Sequence, residues 1–100
     1  MVKHIILWKL KDALTDEQKG KIAADAKTHL EALKGKIDGL ADIRVITEKL
    51  PSATADMMLY STFVSADALK AYSVNEHHRA VVDTYVRPFI ETRLCMDFEE

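Results

Sequence analysis

The feature that most constrains the fold is a set of strand-like segments that are apolar on both faces. Successive side chains of a strand point to opposite faces, and a sheet covered on one side alternates apolar with polar residues. In the first segment, one face carries His4, Ile6, Trp8 and Leu10 and the other carries Ile5 and Leu7. In the third segment, Met57, Leu59 and Phe63 lie opposite Met58, Tyr60 and Val64. In the last segment, Leu94, Met96 and Phe98 lie opposite Cys95. Monomers rarely leave such an apolar area in water, so the sequence predicts an obligate homodimer in which two sheets pack face to face.

The segments follow one another in the order β-α-β-β-α-β. Residues rich in β-branched, aromatic and other apolar side chains predict strands at 2–10, 40–50, 57–64 and 90–98. A long helix follows the first strand, and two short helices, beginning after Ser65 and Asn75, follow the third. This order predicts an α+β fold, a ferredoxin-like four-stranded antiparallel sheet with its helices on one face, and residues 1–100 form a single domain.

The first helix has a clear beginning. Thr15 and Gln18 form a capping box, with acidic residues in the first turn. Apolar residues then recur at helical spacing, namely Ile22, Ala26, Leu30, Leu33 and Ile37. The pattern predicts a helix that continues to about Ile37, with Lys34 and Lys36 in its last turns, where the helix dipole favours cations.

Composition excludes several classes of protein. The net charge is −2, with no basic stripe of the kind that neutralises phosphates, so nucleic acid is not expected as a partner. The opening apolar run is too short for a signal peptide, and no membrane-length run follows. The single cysteine, Cys95, excludes an internal disulfide and suits a reducing compartment. We therefore expect a cytoplasmic protein without membrane partners.

The stretch "YSVNEHHRAVVDTYV" contains two adjacent histidines with different expected environments. On a helix that begins near Asn75, His78 shares its apolar stripe with Val82, Tyr85 and Phe89. His77 is rotated about 100° off this stripe and is expected at the surface. His78 is therefore the histidine of this pair that faces the sheet.

These residues predict a pocket for a small ligand. If the apolar face of the first strand lies under the helices, His4, Tyr72 and His78 converge on one largely apolar site. If the pocket is catalytic, we expect Tyr72 and His78 to be the catalytic pair. The ligand-binding residues are expected to be His4, Ile6, Trp8, Val82 and Tyr85. The alternative is that the histidines and Tyr72 satisfy backbone groups, and that Trp8 and Tyr85 are core aromatics.

Neither a metal site nor a cofactor is expected. Adjacent histidines at 77 and 78 point in different directions on a helix, and no HExxH or CxxC spacing occurs. Cys95 has no matched base near it in the sequence, which disfavours a nucleophilic role. There is no glycine-rich phosphate loop.

Four stretches together carry a family resemblance. They are "MVKHIILWKLK", "LKGKIDGLADIRV", "ADMMLYSTFVSADALKAY" and "NEHHRAVVDTYVRP". Over nearly the whole chain they resemble the stress-responsive dimeric α/β-barrel (Dabb) proteins. The resemblance implies a ferredoxin-like protomer that dimerises through its sheet into a barrel. It also implies that Tyr72 and His78 match the Tyr/His pair with which a plant cyclase of this family closes a polyketide ring without a cofactor, and that His4 matches a pocket histidine.

The last motif departs from the family pattern. The family has Tyr, two variable residues and then His-Pro-x-His, whereas this chain has Asn75 and Glu76 in place of the first His and the Pro. Two functions therefore stay open. The first is a dimeric barrel that binds a small hydrophobic carbonyl or phenolic compound, and it ranks slightly ahead. The second is a cofactor-independent enzyme, a cyclase, lyase or monooxygenase, that uses Tyr72 and His78 as an acid/base pair.

Overall fold

The first strand lies inside the sheet and every second residue of it is buried. The computed structural model describes residues 1–100. β1 (Val2–Leu10) pairs antiparallel with β3 (Met57–Phe63) on one side and with β4 (Ile90–Glu99) on the other. β2 (Leu40–Ile46) pairs antiparallel with β3, which gives the order β2-β3-β1-β4. The expected four-stranded antiparallel sheet is confirmed.

Three α-helices connect the strands on one face of this sheet. α1 (Asp16–Glu31) follows β1, and α2 (Ala66–Ser73) and α3 (Glu76–Tyr85) lie between β3 and β4. A short 3-10 turn, Arg87–Phe89, leads from α3 into β4. The predicted element order is confirmed, including the break in the second helical segment, and the fold is ferredoxin-like. None of these helices is long and apolar enough to cross a bilayer.

Each helix begins at the residue that the sequence predicts. Thr15 and Gln18 form the reciprocal capping box, and Ser65 accepts a hydrogen bond from the N–H of Ala68 at 3.1 Å. Asn75 Oδ1 accepts from the backbone N–H groups of His77 and His78. Because a cap satisfies backbone donors that would otherwise be unpaired, each one fixes where its helix starts.

The end of α1 corrects the sequence-based expectation. The regular helix stops at Glu31, and residues 32–38 continue as tight turns in which an N–H bonds to the carbonyl three residues earlier. Gly35 and Gly39 adopt positive φ angles of 84° and 82°, which a helix cannot contain. Leu33 and Ile37 stay buried because such turns keep residues three and four apart on the same side. Lys34 bonds to Asp42 at 3.1 Å instead of lying in a last helical turn.

The second strand is also shorter than predicted. It ends at Ile46, whose partner Met58 lies near the beginning of β3. Residues 47–50 have no strand beside them and lie outside regular structure, and Glu48 and Lys49 are residue types that are depleted in strands. The last strand, in contrast, runs one residue beyond the predicted end, to Glu99.

Both faces of the sheet carry apolar side chains. The face under the helices contributes buried residues such as Ile6, Trp8, Val45, Leu59 and Phe63 to the core. The opposite face, here named the open sheet face, is uncovered in the protomer. Its apolar residues are Ile5, Leu7, Ile46, Met58, Tyr60, Leu94, Met96 and Phe98. Leu94 and Met96 are each 63% exposed, so in an isolated protomer this apolar surface is in contact with solvent.

Candidate functional site

A cavity of about 380 Å³ lies between the sheet and the helical layer, beside α2 and α3. Six of the seven residues predicted for the site line it together, namely His4, Ile6, Trp8, Tyr72, His78 and Val82. β1 contributes three of them on its buried face, and the other three come from α2 and α3. α2 and α3 meet at the cavity because Tyr72, near the end of α2, points inward and Asn75 starts α3 only three residues later.

The seventh predicted residue, Tyr85, lies elsewhere. Its ring stacks on His29 of α1, with centroids 3.8 Å apart and planes 7° apart. Tyr85 shares the helical stripe of His78 but is seven residues further along, about 10 Å down the helix axis. Tyr85 and Phe89 line a separate surface depression against α1 and do not fill the cavity. The prediction that Tyr85 belongs to this pocket is therefore corrected by its position.

Sequence reasoning missed the polar rim of the cavity. Arg87, Arg93 and Ser73 contribute to the lining together with five further apolar residues, Leu30, Leu59, Leu69, Val86 and Ile90. Arg93 pairs with Trp8 across β1 and β4, so it shares the face of Trp8. The period-two pattern of β4 could have predicted this position of Arg93, because Arg93 points to the face opposite that of the apolar Leu94 and Met96.

Tyr72 and His78 form the polar centre of the cavity. Their ring centroids lie 3.9 Å apart with the planes tilted by 32°. Tyr72 is only 1% exposed, and its ring also contacts the edge of Phe63. Neither Tyr72 Oη nor His78 Nδ1 makes a hydrogen bond to a protein group, although both atoms are buried. Unpaired buried polar atoms are uncommon in folded proteins, and each one calls for an explanation.

Burial shifts both groups toward their neutral forms. It lowers the pKa of His78 from 6.5 to about 4; nearby His4 and Arg87 act in the same direction, and the backbone of Tyr72 acts against it. Burial also raises the pKa of the Tyr72 phenol well above its ordinary value. At neutral pH the pair therefore consists of an uncharged imidazole and a protonated phenol, which can accept and donate hydrogen bonds without a net charge.

His4 connects the cavity to a second group of side chains. Its Nδ1 donates to Asp97 Oδ1, since an ionised carboxylate only accepts hydrogen bonds. Cys95 lies two residues before Asp97 on β4, with its Sγ 3.8 Å from His4 Nδ1 and 3.4 Å from Asp97 Oδ1. Partial desolvation by its neighbours, the hydrogen bond to Asp97 and the charge of Asp97 raise the pKa of the largely exposed Cys95 thiol, so this sulfur stays protonated at neutral pH.

The chain also matches a known protein family over nearly its whole length. The model of the stress-responsive A/B barrel domain, Dabb, matches residues 2–100. The chain belongs to the Dabb family. The family resemblance inferred from the four sequence stretches is thus confirmed. No curated protein matches the chain.

Solved structures of other proteins have the same fold as this Dabb protein. A dimeric protein of unknown function with a ferredoxin-like fold from Bacteroides fragilis is 34% identical, with a TM-score of 0.92 over 99% of this chain and 95% of that one. A Dabb family protein from Mesorhizobium loti is 21% identical, with a TM-score of 0.74 over 99% and 95% of the chains. The hydroxynitrile lyase from Passiflora edulis is 18% identical, with a TM-score of 0.70 over 97% and 90%, which shows the fold alone.

Proposed function

We propose that this Dabb protein binds a small hydrophobic ligand with a carbonyl or phenolic group in the cavity beneath α2 and α3. The observation that carries the proposal is the pair of buried polar atoms, Tyr72 Oη and His78 Nδ1, that have no protein partner. Leaving such atoms unpaired costs about 1–3 kcal/mol each, and a ligand that bonds to them removes this cost. The mostly apolar lining around them suits an apolar ligand body.

The charge state of the pair supports this ligand class. A protonated phenol donates to a carbonyl oxygen, and a neutral imidazole accepts from a hydroxyl. A phenol or the enol form of a β-diketone offers both a donor and an acceptor on a small apolar frame. Arg87 and Arg93 at the cavity wall favour ligands in which negative charge can develop at one end.

We also propose that the protein is a homodimer formed through the open sheet face. Eight apolar side chains lie on that face, and the relatives from Bacteroides fragilis and other organisms are described as dimeric. Two such faces packed together would bury the exposed side chains of Leu94 and Met96. The cavity lies on the other side of the sheet, so the dimer leaves it accessible. The unpaired thiol of Cys95 supports a cytoplasmic location.

A cofactor-independent enzyme is the alternative function. The specific observation that favours it is the direct contact of an imidazole and a phenol inside a cavity, and a Passiflora edulis hydroxynitrile lyase shares the fold. A general base works best with a pKa near the working pH, and a pKa of about 4 makes His78 a weak base. Binding is therefore the better supported function, and catalysis requires a ligand that raises this pKa.

The test uses Trp8, the only tryptophan in the chain, whose side chain lines the cavity. We expect thymol and acetylacetone to change its fluorescence in a saturable way. Tyr72→Phe and His78→Gln should each weaken the affinity about fivefold to tenfold, the value of one hydrogen bond.

Two matched variants serve as controls. Tyr85→Phe removes a phenol outside the cavity, and His77→Gln removes the exposed neighbour of His78. Both should bind like the wild type. Equal losses in the test and control variants, or no saturable signal with either compound, would contradict the proposed function.

A further inference from the structure

The pairing of β1 with β4 brings together three side chains that ligate metals. His4 lies directly opposite Asp97, and Cys95 is two residues away on the same face of β4. The donor atoms are His4 Nδ1, Cys95 Sγ and an Asp97 carboxylate oxygen, all within 4.8 Å of one another. This group, here named the His-Cys-Asp cluster, is separate from the Tyr72 and His78 pair.

The spacing of these atoms fits a tetrahedral zinc ion. With Zn–S of about 2.3 Å and Zn–N or Zn–O of about 2.1 Å, a tetrahedron places sulfur about 3.5 Å from the other donors. The two sulfur distances in the cluster are 3.8 Å to His4 Nδ1 and 3.4 Å to Asp97 Oδ1. His4 Nδ1 and Asp97 are in direct hydrogen-bond contact, so an ion would displace the proton between them and move the two atoms apart.

The surroundings of the cluster permit this change. His4 is buried, which holds one ligand fixed, whereas the Asp97 side chain is 45% exposed and can adjust. Cys95 is exposed, so an ion can reach the sulfur from solvent. A thiolate and a carboxylate together balance the charge of a divalent cation, and the imidazole stays neutral. Sulfur and nitrogen donors select Zn²⁺ over Mg²⁺ or Ca²⁺.

We propose that the His-Cys-Asp cluster is a binding site for a divalent transition metal, with zinc as the best-fitting ion. Binding releases the thiol proton of Cys95 to solvent and shifts the ring proton of His4 from Nδ1 to Nε2, so that a neutral imidazole ligates through Nδ1. The Zn–S, Zn–N and Zn–O bonds form, and the fourth position is left to water. The site stands on the wall next to the ligand cavity, because His4 also lines that cavity. It does not depend on the proposed ligand.

The sequence predicted no metal site because it contains no local ligand spacing. The cluster combines a residue near the beginning of the chain with two residues near its end, and only the β1–β4 register brings them together. Cys95 and Asp97 are two residues apart, which puts both on one face of a strand. This i, i+2 spacing is too common in strands to have pointed to a site.

The test is a Co²⁺ titration of the metal-stripped protein under reducing conditions. Co²⁺ replaces zinc and reports a thiolate ligand through a charge-transfer band in the near ultraviolet. We expect one ion per chain with this band and its displacement by Zn²⁺. Cys95→Ser should abolish the band, and Asp97→Asn should weaken binding by more than the about 10–100-fold that loss of an outer-shell partner costs.

The controls separate this site from other metal contacts. Asp83→Asn and His77→Gln alter exposed carboxylate and imidazole groups outside the cluster and should leave the titration unchanged. Both cluster variants change exposed side chains, and circular dichroism checks that they fold. No Co²⁺ binding, binding without the thiolate band, or equal affinity in Cys95→Ser would overturn the proposal.

Discussion

At the scale of single residues, one rotation along a helix gives two neighbouring histidines different chemistry. His77 is exposed, whereas His78 turns inward against the ring of Tyr72. The sequence predicted this division from the helical stripe alone. It did not predict the size of the effect on His78, because a pKa depends on how completely the surrounding elements exclude water. The fall of this pKa to about 4 follows from packing that no single helix contains.

The partly buried imidazole of His78 makes stability depend on pH. Its folded pKa of about 4 lies below the unfolded value of 6.5, so the unfolded state binds more protons between these values. The contribution is fully present above pH 6.5 and is lost as the pH falls toward 4. After allowance for solvent screening of a partly exposed group, we expect a loss of about 1–2 kcal/mol in the free energy of unfolding.

This pH dependence is measured by urea unfolding of the metal-free protein across that range. His78→Gln should reduce the fall in stability across this range, while His77→Gln should retain the full profile. A wild-type profile that is level between pH 6.5 and 4, or one unchanged in His78→Gln, would show that His78 is not desolvated as described.

Tyr72 provides a second prediction at this scale. Its ring packs against Phe63 and His78, but its hydroxyl is buried without a partner. Tyr72→Phe keeps the ring and removes the unpaired group, so we expect unfolding free energy to stay the same or rise by about 1 kcal/mol. Chemical denaturation of the ligand-free protein measures this. A loss of 1 kcal/mol or more would mean that the hydroxyl already has a structural partner and is not reserved for a ligand.

At the scale of elements, the sequence predicted beginnings better than ends. Thr15, Ser65 and Asn75 each start a helix because a cap is a local interaction within three or four residues. The end of α1 was predicted about six residues too late, since Leu33 and Ile37 keep the helical spacing through a series of turns. Whether an apolar repeat continues as α-helix or as turns depends on glycine conformations that the spacing does not reveal.

The same limit applies to the site. The period of β1 and the stripe of α3 predicted His4, Trp8 and His78 correctly around one cavity, because each lies on the buried side of its own element. Tyr85 was misplaced because a stripe gives direction but not position along the axis. Asp97 was missed because its partnership with His4 depends on the register between two strands at opposite ends of the chain.

Two glycines at the end of α1 give a prediction with an internal control. Both have positive φ, but an added Cβ at Gly35 meets no atom within 4 Å, whereas one at Gly39 would lie 2.5 Å from the Cβ of Ala68 in α2. Gly35→Ala should cost about 1–2 kcal/mol from backbone strain alone. Gly39→Ala should cost about 1–3 kcal/mol more, because α2 must shift. Thermal unfolding of both variants measures the difference, and equal losses would contradict the close approach of α2.

In the whole molecule, the two faces of the sheet differ in what covers them. One face and the helices enclose the core and the cavity, and the open sheet face carries exposed apolar side chains that the proposed dimer would cover. The sequence predicted apolar residues on both faces of the strands, and the structure places them on both faces of the sheet. The residues that line the cavity all belong to one chain, so the proposed ligand binding and the proposed dimerisation can be tested separately.

The dimer is tested by placing a charge on the open sheet face. Met96→Glu should weaken self-association by about 3 kcal/mol, about two orders of magnitude in Kd, because the carboxylate would be buried without a partner. Val74→Glu changes a side chain that is 64% exposed outside that face and should leave the dimer intact. Light scattering after gel filtration measures both masses. A wild-type monomer at all concentrations, or a Met96→Glu dimer of unchanged stability, would rule out this interface.

In the proposed function, the polar pair in the cavity stays neutral and unpaired until a ligand binds. An NMR pH titration of the histidine rings, with and without thymol or acetylacetone, tests this. We expect His78 to protonate near pH 4 and its resonances to shift when either compound is added, while those of His77 do not respond. Protonation of His78 at its ordinary pKa of about 6.5, with no response to either compound, would rule out such a ligand site.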